Sequence, residues 1–208
     1  MRKEHYSGGL TSEQFLFFEM RIVATLVLKG GTRSEIADEI YAENLFQFPT
    51  ERMIRSITRT CFKRLDALES EQLICCLANA SAEVAKQVNL YSIMCENGIA
   101  YDFMTEVIGG KYRSQELEFS AKDVNLFLAE LAEKMPAVND WSEATLKKIR
   151  QVLVRFLVEC EYLESPRAQQ LQPVYLYPEL EEVIRANGDE AALAAFNCFK
   201  LSPTVKCQ

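Results

Sequence analysis

Helix start and stop signals follow one another along this chain with little room between them for strands, and they restrict it to helical architectures. Thr11-Ser-Glu-Gln14 has the spacing of a capping box, and it predicts a helix that runs to the paired glycines Gly30-Gly31. Thr32-Arg-Ser-Glu35 repeats the box at once and opens a short helix from Arg33 to about Glu43. After the connection NLFQFP, Thr50 caps a third helix, Glu51 to about Leu68. Ser81 opens a helix to Glu96, where Asn97-Gly98 signals a left-handed stop, and Ile99 to Ile108 forms another ending at Gly109-Gly110. Ser120-Ala-Lys-Asp123 caps a helix to about Met135, which Pro136 breaks. Ser142 caps the helix within Trp141 to Leu163, and helices Pro178 to Ala186 and Glu190 to Phe199 finish the chain.

The expected fold is therefore all-α, a compact multi-helix globule with two helix-turn-helix-like units. Residues 10–70 form the first unit, 71–114 a helical scaffold and 115–208 the second unit, all within one compact domain. In the scaffold, Val84, Val88, Tyr91, Ile93, Tyr101, Phe103 and Val107 have the spacing of packing residues. The run PVYLYP, from Pro173, is compatible with a small β wing against Tyr162-Leu163, and equally with an extended strap, because prolines flank it.

Two of these helices are basic on one side. Arg52, Arg55, Arg59 and Lys63 fall within about 80° of arc on the third helix, opposite Met53, Ile54, Ile57, Cys61, Leu65 and Leu68. On the Ser142 helix, Lys147, Lys148, Gln151 and Arg155 oppose Leu146, Ile149, Val152, Leu153, Phe156 and Leu157. The formal charge of the whole chain is -7, which by itself argues against a nucleic-acid partner. Its distribution argues the other way. Residues 69–106 and 159–208 are strongly acidic, whereas Thr50 to Leu68 and Ser142 to Val158 each carry a net positive charge. One basic helix face is ordinarily a solvated surface; two in an acidic protein point to an anionic partner. Thr50, Ser142 and Thr145, at the helix N-termini, are placed to approach a phosphate backbone or base edges.

The same sequence excludes most enzyme classes. No phosphate-cradling glycine loop, G-x-S-x-G or H-E-x-x-H occurs, and the single histidine, His5, lies in a polar N-terminal tail. The seven cysteines form no C-x-x-C pair, so neither a zinc site nor any other cofactor is expected, and the thiols read as reduced in a cytoplasm. Cys75-Cys76 lies in an apolar run and reads as core. Glu181 and Glu182, being adjacent, do not converge on one substrate. The apolar stretch Phe15 to Leu28 contains Glu19 and Arg21 and is too short to span about 30 Å of hydrocarbon. The chain thus reads as non-enzymatic, with no membrane and no small-molecule substrate as partner.

The strings FFEMRIVATLVLKG, ENLFQFPTERMIRSITRTCFKRLDAL, AKQVNLYSIM, DFMTEVIGGKY, WSEATLKKIRQVLVRFLVECEYL and NGDEAALAAFNCF, in order from about Leu10 to Phe199, resemble the BrxA family of bacteriophage exclusion (BREX) defence systems. The resemblance implies a small cytoplasmic, all-helical protein with helix-turn-helix elements that binds double-stranded DNA and works among BREX components that include a DNA methyltransferase. The family is also said to look like the RNA-binding factor NusB, and some members have been labelled inner-membrane proteins, against which the Phe15 to Leu28 argument tells. Two other readings stand beside DNA binding: an assembly subunit that docks other BREX components through its acidic surfaces, and RNA binding, for which few aromatics stand beside the cations in the sequence to stack on unpaired bases. The connections Asn44 to Pro49 and Pro136 to Trp141 are longer than the turn of about three or four residues in a tight helix-turn-helix.

Overall fold

A computed structural model describes residues 8–11 and 14–199. After a single 3-10 turn at Gly8–Thr11, the helices are α1 (Phe17–Lys29), α2 (Arg33–Glu43), α3 (Glu51–Leu68), α4 (Glu71–Asn79), α5 (Ala82–Glu96) and α6 (Gly98–Asp102). A π-helical segment, Phe103–Ile108, joins α6 to α7 (Gly109–Ser114). Then come α8 (Ala121–Lys134), the one-turn α9 (Pro136–Asn139), α10 (Glu143–Glu159), α11 (Pro178–Ala186) and α12 (Glu190–Ala195). The architecture is all-α, as expected, and no β-strand occurs among the described residues.

The centre of the molecule is α5. From Ala85 to Met94 only Lys86 is not buried, so this helix has no solvent face; α3 and α4 pack against it, and α1 covers α3 and α4. Arg21 of α1 fixes that covering layer. Its guanidinium donates to Ala78 O (2.9 Å) and Ala80 O (3.2 Å), carbonyls that the end of α4 leaves without helical partners.

Most of the sequence-level helix starts hold. Thr32 and Glu35 form the complete capping box of α2, Ser120 and Asp123 that of α8, and Thr50 and Ser142 cap α3 and α10. Gly30, at φ 81°, ends α1 in the conformation that favours glycine.

Three punctuation marks are read differently by the fold. The box at Thr11 does not start α1, which begins at Phe17; Ser12 and Glu13 lie outside the described residues. The reason is that Gln14 O and Phe15 O are taken by Arg64 and Asn89 and so are unavailable to a helical ladder, while Leu16 turns the chain at φ 52°. Asn97 is extended rather than left-handed, and its Oδ1 accepts from Ile99 N and Ala100 N, so it starts α6 instead of stopping α5 alone. Gly109-Gly110 does not end a helix. Both residues are helical, and a Cβ on Gly109 would lie 2.8 Å from Ala194 Cβ, so this glycine serves the close approach of α7 to α12.

The PVYLYP run is a strap, not a wing on Tyr162-Leu163. The residues just before it meet 117–119 in one antiparallel bridge, Glu118 with Gln170, and Gln172 N reaches Tyr162 O at 2.9 Å. Beyond Pro173 the strap lies on α5, where the side-chain amide of Gln87 donates to Tyr175 O (2.9 Å) and accepts from Tyr177 N (3.2 Å). A buried helix offers no ladder of free backbone groups, so one glutamine replaces the missing neighbour strand.

Candidate nucleic-acid interface

The amphipathic pattern of α3 places Ile54, Cys61, Leu65 and Leu68 in the core, and turns Arg52, Arg55, Arg59 and Lys63 to solvent. Across α3 lies α2, and the connection between them is held by the Asn44 side chain, which pairs with both Phe48 N and Phe48 O at 3.1 Å. The two helices bound an open groove of about 310 Å³ lined by Arg33, Tyr41, Arg55, Arg59, Phe62, Lys63 and Asp66, with Ala37 and Thr58.

The cations in this groove are of two kinds. Arg33 lies over the Phe62 ring at 5.4 Å from its centroid and pairs with Asp66; Arg55 lies over the Tyr41 ring at 4.4 Å and pairs with Glu51. The Glu51 hydrogen bond raises the Arg55 pKa further above its ordinary value, with Asp38 adding a weaker attraction, so Arg55 stays charged. Arg59 and Lys63 have no ion-pair partner among the described residues, and the same holds for Arg52 outside the groove.

The fifth base of α3 does something else. Arg64 is fully buried and donates to Gln14 O (3.0 Å) and Phe15 O (3.3 Å), tying α3 to the segment that precedes α1. Beside it, burial pushes the Cys61 thiol up to about 12. It is therefore no nucleophile at neutral pH.

On α10, Lys147, Lys148 and Gln151 are exposed, while Ile149, Val152, Leu153, Phe156 and Leu157 are buried. Arg155 is exposed but engaged: it pairs with Glu159 (3.3 Å) on its own helix and donates to the Gln14 side-chain oxygen (3.2 Å). Gln14 thus accepts from both basic helices, from Arg64 through its main chain and from Arg155 through its side chain. Phe15 adds an aromatic contact to Phe156 at 6.1 Å. The α10 cations do not line the α2–α3 groove.

The hydroxyls at the helix starts are occupied by capping. Thr50 accepts from Met53 N at 3.4 Å, and Ser142 accepts from Thr145 N at 3.2 Å with Thr145 Oγ1 2.9 Å away. Thr50 and Ser142 are exposed and Thr145 is half-buried.

The sequence flags Arg55, Arg59 and Lys63 but not the other six groove residues, Arg33, Asp66, Tyr41 and Phe62 with Ala37 and Thr58. Arg33 sits inside a capping box and was legible only as part of a helix start, and Tyr41 and Phe62 are separated along the chain from the cations they meet. Few aromatics stand beside the cations along the sequence, and the fold brings two of them, Tyr41 and Phe62, under guanidinium groups. Cys75 is also corrected: it is exposed on α4, and only Cys76 packs partly against the core.

Among the described residues, no group of three or more His, Cys, Asp or Glu side chains is arranged to hold a metal ion. No helix among them is long and apolar enough to cross a membrane.

Comparison with known proteins places these elements in a family. The BrxA family model matches residues 4–188. A BREX protein BrxA of Bacillus cereus (strain H3081.97) is 30% identical over 190 residues, covering 91% of this chain and 94% of that protein. A BREX protein BrxA of Escherichia coli O9:H4 (strain HS) is 24% identical over 183 residues, covering 88% and 85%. The crystal structure of an uncharacterized protein from Magnetospirillum magneticum has the same fold, with a TM-score of 0.77 at 22% identity, covering 92% of this chain and 97% of that one. Matched over nearly its whole length by that model, the chain belongs to the BrxA family.

Proposed function

We propose that this protein is a non-enzymatic subunit of a BREX phage-defence system that binds double-stranded DNA through the cations of α3 and α10. The family membership supports the system and, with it, other BREX components as partners; the methyltransferase among them is part of the proposal. The observation that carries the DNA reading is the basic groove of an acidic protein: Arg33, Arg55, Arg59 and Lys63 converge between α2 and α3 although the chain carries -7 overall. Cations so placed release counterions on meeting phosphate, whereas the acidic surfaces are repelled from DNA and left for protein partners. Arg52, Lys147, Lys148, Gln151 and Arg155 extend the contact, and the helix N-termini at Thr50, Ser142 and Thr145 add backbone N–H groups. Twice the chain runs helix, connection, basic helix, as in helix-turn-helix proteins.

Fluorescence anisotropy with a labelled duplex of about 30 base pairs tests this. With about six cations on phosphates, log K against log salt has a slope near -5, and changing Arg55, Arg59, Lys148 and Arg155 together to Glu abolishes binding on every sequence alike. A slope near zero, or unaltered binding by that variant, would sink the reading. An RNA preference would appear as a hairpin RNA displacing the duplex; the rings of Tyr41 and Phe62 give that outcome a physical basis, but both are already covered by arginines.

A further inference from the structure

Resting on the DNA reading above, we propose that Arg33 of α2 is a phosphate contact in the α2–α3 groove, and that Asp66 and Glu51 are built-in competitors which hold Arg33 and Arg55 ready for phosphate and set the strength of binding. Arg33 and Arg55 each have a face on an aromatic ring and an edge on a carboxylate: Phe62 and Asp66 for one, Tyr41 and Glu51 for the other. A carboxylate and a phosphate make the same demand on that edge, two acceptor oxygens opposite a planar fork of donors. The ring makes a different demand, on the face, and satisfying it does not depend on which anion holds the edge.

An exchange therefore costs little. The Arg33 and Asp66 side chains are 62% and 50% exposed, and the Arg55 and Glu51 side chains 54% and 65%. Ion pairs this open to water contribute little to stability, so either carboxylate can be displaced without disturbing the fold. After displacement the arginine remains on its ring, already oriented. Arg59 and Lys63, lining the same groove without an ion pair among the described residues, supply the attraction that brings the phosphate in. The groove thus holds two cations that attract and two that are pre-positioned and partly masked.

The test uses the full-length protein, the duplex titration at two salt concentrations, and the variants Asp66→Asn, Glu51→Gln, Arg33→Ala and the double variant Arg33→Ala/Asp66→Asn. Glu116→Gln, which removes one negative charge at an exposed position outside the groove, is the control for net charge. Asp66→Asn and Glu51→Gln are expected to tighten binding about three- to tenfold, well beyond Glu116→Gln, and to steepen the salt slope by about one. Arg33→Ala is expected to weaken binding several-fold and to flatten the slope by about one, and in its background Asp66→Asn loses its advantage. If wild type binds with a salt-dependent slope while Asp66→Asn and Glu51→Gln do no more than Glu116→Gln, the competition is refuted and the DNA reading stands. If neither wild type nor the two carboxylate variants bind at low salt, both fall. A gain by Asp66→Asn that persists undiminished without Arg33 would likewise overturn the proposal, since it would show general charge at work rather than exchange at one guanidinium.

Discussion

Arg64 and its neighbours on α3 show how far apart the duties of adjacent arginines and lysines can lie. Lys63 is exposed in the groove, and Arg64, the next residue, is fully buried with its charge shared between two main-chain carbonyls. Helical geometry accounts for this, since one residue turns the side chain by about 100° and carries it from the solvent face to the core face. The two positions therefore respond differently to mutation. Arg64→Met keeps the length and removes the donors, leaving Gln14 O without this partner, and is expected to lower stability by about 2 kcal/mol, read as a drop in the urea midpoint at unchanged m. The salt slope of DNA binding by the folded variant should stay as in wild type; a flatter slope would mean that Arg64 reaches phosphate. A sequence pattern gives the helix face of each charge but not the carbonyls waiting opposite it. In the sequence Arg64 reads as one more base of α3, although the fold uses it for packing.

Individual elements are held by their ends, and those ends were the best-read part of the sequence. The capping boxes of α2 and α8 and the caps of α3 and α10 are local: the residues that make the bond lie within one turn, so spacing alone reveals them. What spacing does not reveal is a second duty for the same side chain. Asp123 completes the α8 box at Ser120 N (2.7 Å) and also pairs with Lys111 of α7 at 2.7 Å, so one carboxylate docks two helices. Burial raises its pKa, but the hydrogen bonds from Lys111 and Ser120 outweigh that and hold it below the ordinary 3.8. Because the folded-state value is depressed, the stabilisation is complete above the unfolded value and is lost as the pH falls through the folded one. Asp123→Asn is accordingly expected to cost about 1 kcal/mol near neutrality, with the gap between variant and wild type closing below about pH 4. Denaturant titrations at several pH values would check this, and a gap independent of pH would contradict it. Interrupted signals misled for the same local reason: Asn97 and the paired glycines at 109 carry the right residue types for a stop, and only the neighbours brought in by the fold decide their use.

Across the whole molecule, distant segments are joined by a few polar side chains that serve several partners at once. Gln87 holds the strap on α5, and Gln14 takes hydrogen bonds from α3 and α10. Asp189, just before α12, accepts from Tyr91 (3.2 Å) and Tyr101. These long-range links were the least legible part of the fold, because a glutamine on an apolar helix looks like any tolerated polar residue until its partners are known. Gln87→Ala should release the strap without unfolding α5, seen as faster amide hydrogen exchange over residues 170–177 with the rest of the protein protected; unchanged exchange there would show that apolar contacts alone suffice. The basic groove was half legible: α3 declared its cations by periodicity, while the contribution of α2 needed the two helices side by side.

The π-helical segment Phe103–Ile108 has a consequence for the length of the chain as well as for its composition. By widening the helical turn, that stretch sets the azimuth at which Gly109 meets Ala194 and Tyr112 reaches the carbonyl of Gln172, just before the strap. Deleting or inserting one residue there would rotate everything downstream by about 100° and turn both contacts away from α12 and Gln172. Phe103, Met104 and Ile108 are fully buried in this stretch and accept only apolar replacements of similar size; the count of residues between Asn97 and Gly109 is fixed as well, and alignments of the family should run without gaps through it.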